Sequence, residues 1–365
     1  MIPHAASTRR PAAVVPLTTS AYRAAARPPP SCPSLCAVTG TEIARGLSAT
    51  APLVRRATID VVFVALAGWL MTGVFLDAGA HIRRLPDTFW TPWHAVLYSG
   101  LFACGAFLVG ARLVEARSGR RLLDDGYALS LLGVAVGGIG GITDAIWHTL
   151  FGIEFDLDAA VSPSHLIIAA AIVLVVSGPA RPAWRRGAGF GVAATLSLLY
   201  ALSMLTVILD YANPFAMVVG ADQGLALFAF TAYGALLAGA TLLAVRGGAS
   251  GWAIGAIAGG NAAVMTLPNA PLLGALAPVL LAVALVGGVL IAVASTWLRQ
   301  TVARPSALLV LAALVPAILE AGYVIAVASA RPASWTITFW CGLVAVGALA
   351  GLLVGALVVA NRPAD

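Results

Sequence analysis

The sequence predicts an all-α, polytopic transmembrane helix bundle of about ten helices, with duplicated helical hairpins in its N-terminal half. Three observations lead there. Hydrophobic residues make up 60% of the 365-residue chain and charged ones 10%, with a mean hydropathy of +0.95; a soluble domain carries about 25% charged residues. Apolar runs recur at lengths near the ~20 residues a helix needs to cross a bilayer core. An Asp/His pattern is then written twice at the ends of such runs. Its first copy is Asp77-x3-His81, nine residues, then Thr91-Pro92-Trp93-His94; its second is Asp144-x3-His148, thirteen residues, then Ser162-Pro163-Ser164-His165.

Residues 1–54 come first and are expected to form a disordered cytoplasmic segment. They are rich in Ala, Pro, Arg and Ser, contain no acid before Glu42 and lack the apolar core of a secretory signal. Cys32 and Cys36 within it have a C-x3-C spacing that either closes a small disulfide, binds metal or stays unstructured, the last being favoured. Expected spans then run near Ala57 to Ala78, Thr91 to Leu113, Tyr127 to His148 and Ser162 to Gly178. Residues 55–180 thus form a duplicated four-helix metal-site half. Six more segments, near Gly187 to Asp210, Gln223 to Val245, Gly251 to Leu267, Leu276 to Leu298, Ala307 to Ala328 and Trp335 to Ala360, form a transmembrane scaffold half over residues 181–365. The seventh segment holds Gly259, Gly260 and Asn261 and ends at Pro268, so it is expected to be broken or shortened. Cys104 and Cys341 fall in apolar runs, where a small buried hydrophobe is the default.

Charge gives orientation. All 21 basic residues are arginines, which carry the net +6, and no basic stripe with interleaved aromatics marks a nucleic-acid partner. Arg55, Arg56, Arg112, Arg117, Arg120, Arg121, Arg181, Arg185, Arg186, Arg246, Arg299, Arg304 and Arg362 all fall on one side of the expected spans. By the positive-inside rule the chain is a multi-pass cell-membrane protein with both termini cytoplasmic. Arg83 and Arg84, beside the first motif, break the trend; they either pair with Asp87 or a bound anion or are ordinary interfacial arginines.

Asp144 follows Asp77 by 67 residues, as His148 follows His81, and His165 follows His94 by 71 because the second loop is four residues longer. Gly73 and Gly140 each precede their Asp by four. The hairpins therefore read as copies of one unit. Asp210, a further 66 residues on, is a candidate third copy without histidines.

The candidate metal ligands are Asp77, His81, His94, Asp144, His148 and His165. Residues four apart share a helix face, so each Asp/His pair can approach one ion. Thr91 and Ser162 suit the N-cap, and the prolines after them suit the first helical position, which puts His94 and His165 in first turns at the same depth. Any one such histidine reads most simply as an interfacial polar residue. Repetition of the whole set, with ionisable groups costing a few kcal/mol each in a membrane, favours metal over a proton relay or structural capping. Haem is disfavoured because the paired Asp has no purpose there and no C-x-x-C-H occurs. Two histidines and a carboxylate suit copper first, then iron, then zinc, and facing hairpins would make one dinuclear centre.

Asp77, His81 and His94 have the form D-x3-H-x12-H, which resembles the metal motif in one membrane subunit of the copper-dependent particulate methane and ammonia monooxygenase family. The resemblance covers under twenty residues and implies copper held in the membrane by Asp77, His81 and His94. The chain departs from that pattern in its number of spans and in its second, longer-spaced copy.

Two functions follow: a metal-dependent membrane oxidoreductase or hydroxylase acting on a small apolar or lipid-like substrate, or a metal or proton-coupled transporter whose path continues through Asp210 and Glu320. A structural or sensory role is the third. No nucleophile or nucleotide fingerprint points to other enzyme chemistry. Trp90, Trp93 and Trp147 read as an interfacial belt or a pocket wall, and Glu154, Asp156 and Asp158 as a solvated acidic loop that attracts cations.

Overall fold

The computed structural model describes residues 40–86, 88, 90–154, 156–217, 222–301, 304–330 and 335–361. Most of residues 1–54, with Cys32 and Cys36, lies outside them, as do Asp87 and Arg362. Thirteen α-helices follow: α1 Gly40–Ile82, α2 Pro92–Ser118, α3 Tyr127–Phe151, α4 Asp156–Val161, α5 Pro163–Val176, α6 Ala180–Arg186, α7 Val192–Ile208, α8 Gln223–Arg246, α9 Gly251–Thr266, α10 Ala270–Leu273, α11 Ala277–Thr301, α12 Arg304–Ala330 and α13 Ile337–Ala360. No strand occurs among the described residues. The first helix begins inside the segment expected to be disordered.

A helix covers each of the ten expected segments, but among the described residues only seven are long and apolar enough to cross a membrane, or eight if α5 and α6 count as one bent span. The expected count of about ten spans is not confirmed. Helices α5, α7 and α9 have 14, 17 and 16 residues, which at 1.5 Å per residue gives roughly 21–26 Å against a ~30 Å hydrocarbon core. α5 and α6 meet at 61°. α9 is shortened rather than broken, running unbroken through Gly259, Gly260 and Asn261.

Outward faces are apolar, as at Ile142, Leu285 and Leu353, which suits lipid rather than water. Inside, small residues set the spacing between helices. A Cβ on Gly255 of α9 would meet the Gly288 carbonyl of α11 at 2.2 Å, and one on Gly259 the Ala284 carbonyl at 2.5 Å, so these two helices touch backbone to backbone. Asn261 of α9 donates to Ser203 and Thr206 of α7, satisfying polar groups that lipid could not. Apolar packing forms two main clusters. One spans Phe63 to Val176 with Ala201 and Met204 of α7, the other Ala180 to Leu343. Cys104 is buried as expected, whereas Cys341 is exposed on α13, because helix faces towards lipid are as apolar as those towards the core.

The arginine-bearing helix ends come together. Arg185 and Arg186 pair with Asp124, Arg299 donates to the Ala249 carbonyl, and Glu115 takes Arg112 together with the Leu122 and Leu123 amides. Tyr127 at the start of α3 donates to Asp60 near the start of the α1 span at 2.6 Å. The Asp60, Arg112, Glu115 and Asp124 contacts lie at the end of the first helices remote from the Asp/His motifs.

Candidate metal centre

The α1 chain stops just past His81. Arg84 adopts the left-handed conformation (φ 50°), with Leu85 N–H bonded to the Ala80 carbonyl and Arg84 N–H to that of His81, a Schellman ending. Arg83 turns its Nε back onto the Gly79 carbonyl at 2.7 Å. α2 restarts at Pro92 after Thr91 in extended backbone. The expected Thr91 side-chain cap is not made: its hydroxyl donates to the Thr88 carbonyl and lies 3.2 Å from His94 Nδ1. Ser162 does cap, accepting from His165 N–H at 3.4 Å. The difference is that Thr91 is drawn into holding the imidazole.

Two glycines bring ligands within reach of each other. A Cβ on Gly73 would lie 2.3 Å from Leu97 Cα, and one on Gly140 would lie 2.8 Å from an Ile168 side-chain carbon. Leu97 and Ile168 each sit three residues after a candidate histidine, so each glycine admits the partner helix one turn below its Asp.

The structure brings together all six predicted residues, as two triads whose ligand atoms lie within 4.8 Å of one another. Asp77 Oδ1 stands 3.0 Å from His94 Nε2 and 3.7 Å from His81 Nε2. Asp144 Oδ1 stands 3.3 Å from His165 Nε2 and 3.4 Å from His148 Nε2. Ligands about 2.0–2.1 Å from a shared ion are roughly 2.9–3.4 Å apart at octahedral or tetrahedral angles, so three of the four spacings fit without movement and the fourth needs a few tenths of an ångström. His81, His94, Asp144 and His148 are buried, Asp144 to 1% exposure.

The other ring nitrogen of each of these four histidines meets a backbone carbonyl: His81 Nδ1 that of Glu154 at 3.1 Å, His94 that of Thr88 at 3.1 Å, His148 that of Gly152 at 3.2 Å and His165 that of Ala159 at 2.5 Å. A carbonyl only accepts, so Nδ1 carries a hydrogen, and in the neutral imidazole the Nε2 lone pair faces the carboxylate. Asp77 Oδ1, Asp144 Oδ1, His148 Nε2 and His165 Nε2 are all buried without a hydrogen-bond partner. Converging lone pairs out of water repel unless a cation lies between them, and a histidine held by a carbonyl at its second nitrogen is the usual setting of a metal ligand. The donor set therefore fits a divalent transition metal.

The triads are also neighbours. Ring centroids are 5.6 Å apart for His81 and His165 and 6.4 Å for His94 and His148 across the hairpins; within them they are 6.4 Å for His81 and His94 and 5.6 Å for His148 and His165. The four imidazoles form a closed circuit joining both hairpins.

Two participants were not legible in the sequence. Tyr98, one turn beyond His94, donates to Asp144 Oδ2 at 3.1 Å, linking one hairpin to the carboxylate of the other. Glu154, expected to be a solvated loop acid, instead lends its carbonyl to His81 and accepts the Trp147 indole N–H on its side chain. Its place in the α3–α4 loop puts it over the first hairpin. Trp147 thereby becomes a support for that loop rather than a plain belt residue, while Trp90 is 87% exposed. Asp158 shows no such link, and the Asp156 side chain lies outside the described residues. Asp210 is buried and lines the same cavity as the triads, but it is met by Asn269 at 3.4 Å rather than by histidines.

That cavity has a volume of about 100 Å³. Asp77, His81, His94, Asp144 and His165 line it together with apolar side chains that include Leu97, Ile168, Ile172, Met204 and Val207. Replacing Tyr98 with phenylalanine keeps the ring and removes one bond to Asp144; we expect metal affinity at the Asp144 triad to fall roughly 10–100-fold, the usual cost of an outer partner, with the Asp77 triad unchanged by competition titration. Comparison with family models, curated proteins and solved structures gives no match.

Proposed function

We propose that this is an integral membrane metalloprotein in which Asp77, His81 and His94, with Asp144, His148 and His165, hold two transition-metal ions in one centre, and that it acts as a metal-dependent membrane oxidoreductase or hydroxylase. The observation that carries this reading is the set of four imidazoles, each pinned by Nδ1–H to a backbone carbonyl and aimed by Nε2 at a buried carboxylate oxygen. Copper is the first choice, since imidazole suits it and it heads the affinity order, with iron and zinc behind. Bound there, a redox-active ion supplies electron transfer and oxidant activation. The protein supplies a largely apolar chamber beside it, which selects apolar substrates. A chamber of about 100 Å³ favours a molecule of a few heavy atoms over a lipid chain, given that about 150 Å³ suffices for benzene. The recurrence of Asp, His, histidine-bearing first turn and glycine in both hairpins supports duplication of one unit. The gathered arginine ends support a cell-membrane topology with cytoplasmic termini and an outward-facing centre.

Elemental analysis and electron paramagnetic resonance of the detergent-purified, metal-reconstituted protein test the reading. Wild type is expected to hold copper or iron stoichiometrically and the His81→Ala/His148→Ala double variant to lose it while still inserting in membranes; metal-free wild type after reconstitution would sink it. One observation favours transport instead. Glu320 of α12 is fully buried, with both carboxylate oxygens lacking a hydrogen-bond partner and packed against Gly347 of α13, as a member of an ion path would be. Metal or proton flux into proteoliposomes that disappears in Glu320→Gln would select that reading.

A further inference from the structure

A second apolar hollow lies on the outer surface of the hairpin bundle, between α2 and α3. Gly137, Gly138, Gly141, Ile142, Ala145, Ile146 and Tyr98 line it, with no polar surface, over a volume of about 400 Å³. Glycine shapes this groove. A Cβ on Gly138 would meet nothing within 4 Å, so the floor there is bare backbone facing outward, and Ile142 and Ile146 beside it are 65% and 53% exposed. In a bilayer such a face is in contact with hydrocarbon.

Tyr98 is the wall common to this groove and the inner cavity. Its ring edge rests on Gly141, where a Cβ would come within 2.7 Å of Tyr98 Cε1. Its hydroxyl reaches Asp144, and its ring centroid is 6.2 Å from that of His94. One side chain thus borders both the lipid-facing groove and the chamber beside the triads.

We propose that the α2–α3 groove is a lateral portal through which small, uncharged apolar molecules dissolved in the bilayer reach the chamber, with Tyr98 as its gate. The proposal rests on the reading of that chamber as the substrate site. The size of the chamber decides the occupant: at about 100 Å³ it accommodates a short apolar molecule and not a lipid chain. Tyr98 then has two roles, orienting Asp144 through its hydroxyl and closing the passage with its ring.

Photolabelling tests the portal without requiring metal. The full chain, reconstituted in phospholipid vesicles, is photolysed with a short-chain aliphatic diazirine and, in parallel, with a phospholipid carrying a diazirine on its acyl chain. Peptide mapping should place the short probe on Ile142 and Ile146 and also on the chamber residues Leu97, Ile168 and Met204, and the lipid probe on the groove alone. Gly138→Leu fills the groove where space is open, and Ile146→Trp blocks it from the other side should the first variant fold poorly. In either, chamber labelling should fall to background while labelling of the distant lipid-facing Leu285 persists. Tyr98→Ala should raise chamber labelling. Chamber labelling absent in wild type, or unchanged by both blocking variants, would overturn the portal. Lipid-probe labelling of the chamber would overturn the size class. A metal-free protein with intact labelling would instead fail the metal reading and leave the passage standing.

Discussion

In the proposed two-ion centre Asp77→Ala is expected to remove one metal ion, Asp144→Ala the other, and the double change both. Each carboxylate oxygen is the point on which two imidazoles converge, so its loss takes away a ligand and the negative charge that offsets the ion. The effect should exceed the roughly 10–100-fold typical of outer partners. The triads share a ring circuit, so each single variant should also weaken the surviving ion, and the two effects should not add. Metal content by mass spectrometry gives the stoichiometry, and loss of magnetic interaction between the ions in each single variant reports their proximity. Full retention of two ions in Asp144→Ala would show that the second triad is not a metal site.

Gly73→Ala should be nearly as damaging although Gly73 touches no ligand. Its Cβ would fall 2.3 Å from Leu97 Cα and 2.4 Å from Leu97 N, and a backbone cannot swing aside as a side chain does. Overpacking typically costs about 1–3 kcal/mol and occasionally more; a backbone contact belongs at the upper end. α2 must retreat from α1, carrying His94 away from Asp77. We expect lower thermal stability in detergent together with loss of the ion at the first triad and retention of the second. Gly110→Ala on the same helix pair, where nothing lies within 4 Å, should leave both properties unchanged.

The sequence made the helices and the ligands legible for different reasons. Hydropathy located the apolar segments, since lipid admits helices whose backbone is satisfied internally, and the i,i+4 spacing put Asp77 beside His81 and Asp144 beside His148. Hydropathy does not measure how far an apolar run stays helical, and so α5, α7 and α9 came out short. The spacing also said nothing about which carbonyls hold the rings. Those of Thr88, Gly152, Glu154 and Ala159 belong to loops and a one-and-a-half-turn helix, where any residue type offers the same oxygen. Glu154 was read by its charge, yet it serves His81 through its main chain. Tyr98 is one aromatic among many in an apolar run, and nothing local marks it because its partner is 46 residues away on another hairpin.

The carbonyls that orient the four imidazoles all come from connecting segments at one end of the bundle, while the opposite end is tied by ion pairs such as Asp124 with Arg185 and Arg186. In the proposed holoprotein the two ends therefore answer to different thermodynamic reservoirs. A ligand that binds only the ordered state stabilises it by about 2.7 kcal/mol at a hundred times its dissociation constant, and here that gain is delivered to the connecting segments that carry the Thr88, Gly152, Glu154 and Ala159 carbonyls. Metal availability would set how ordered that rim is, and salt how ordered the arginine end is. Proteolytic nicking in those loops should follow chelator concentration, with the far end indifferent to it.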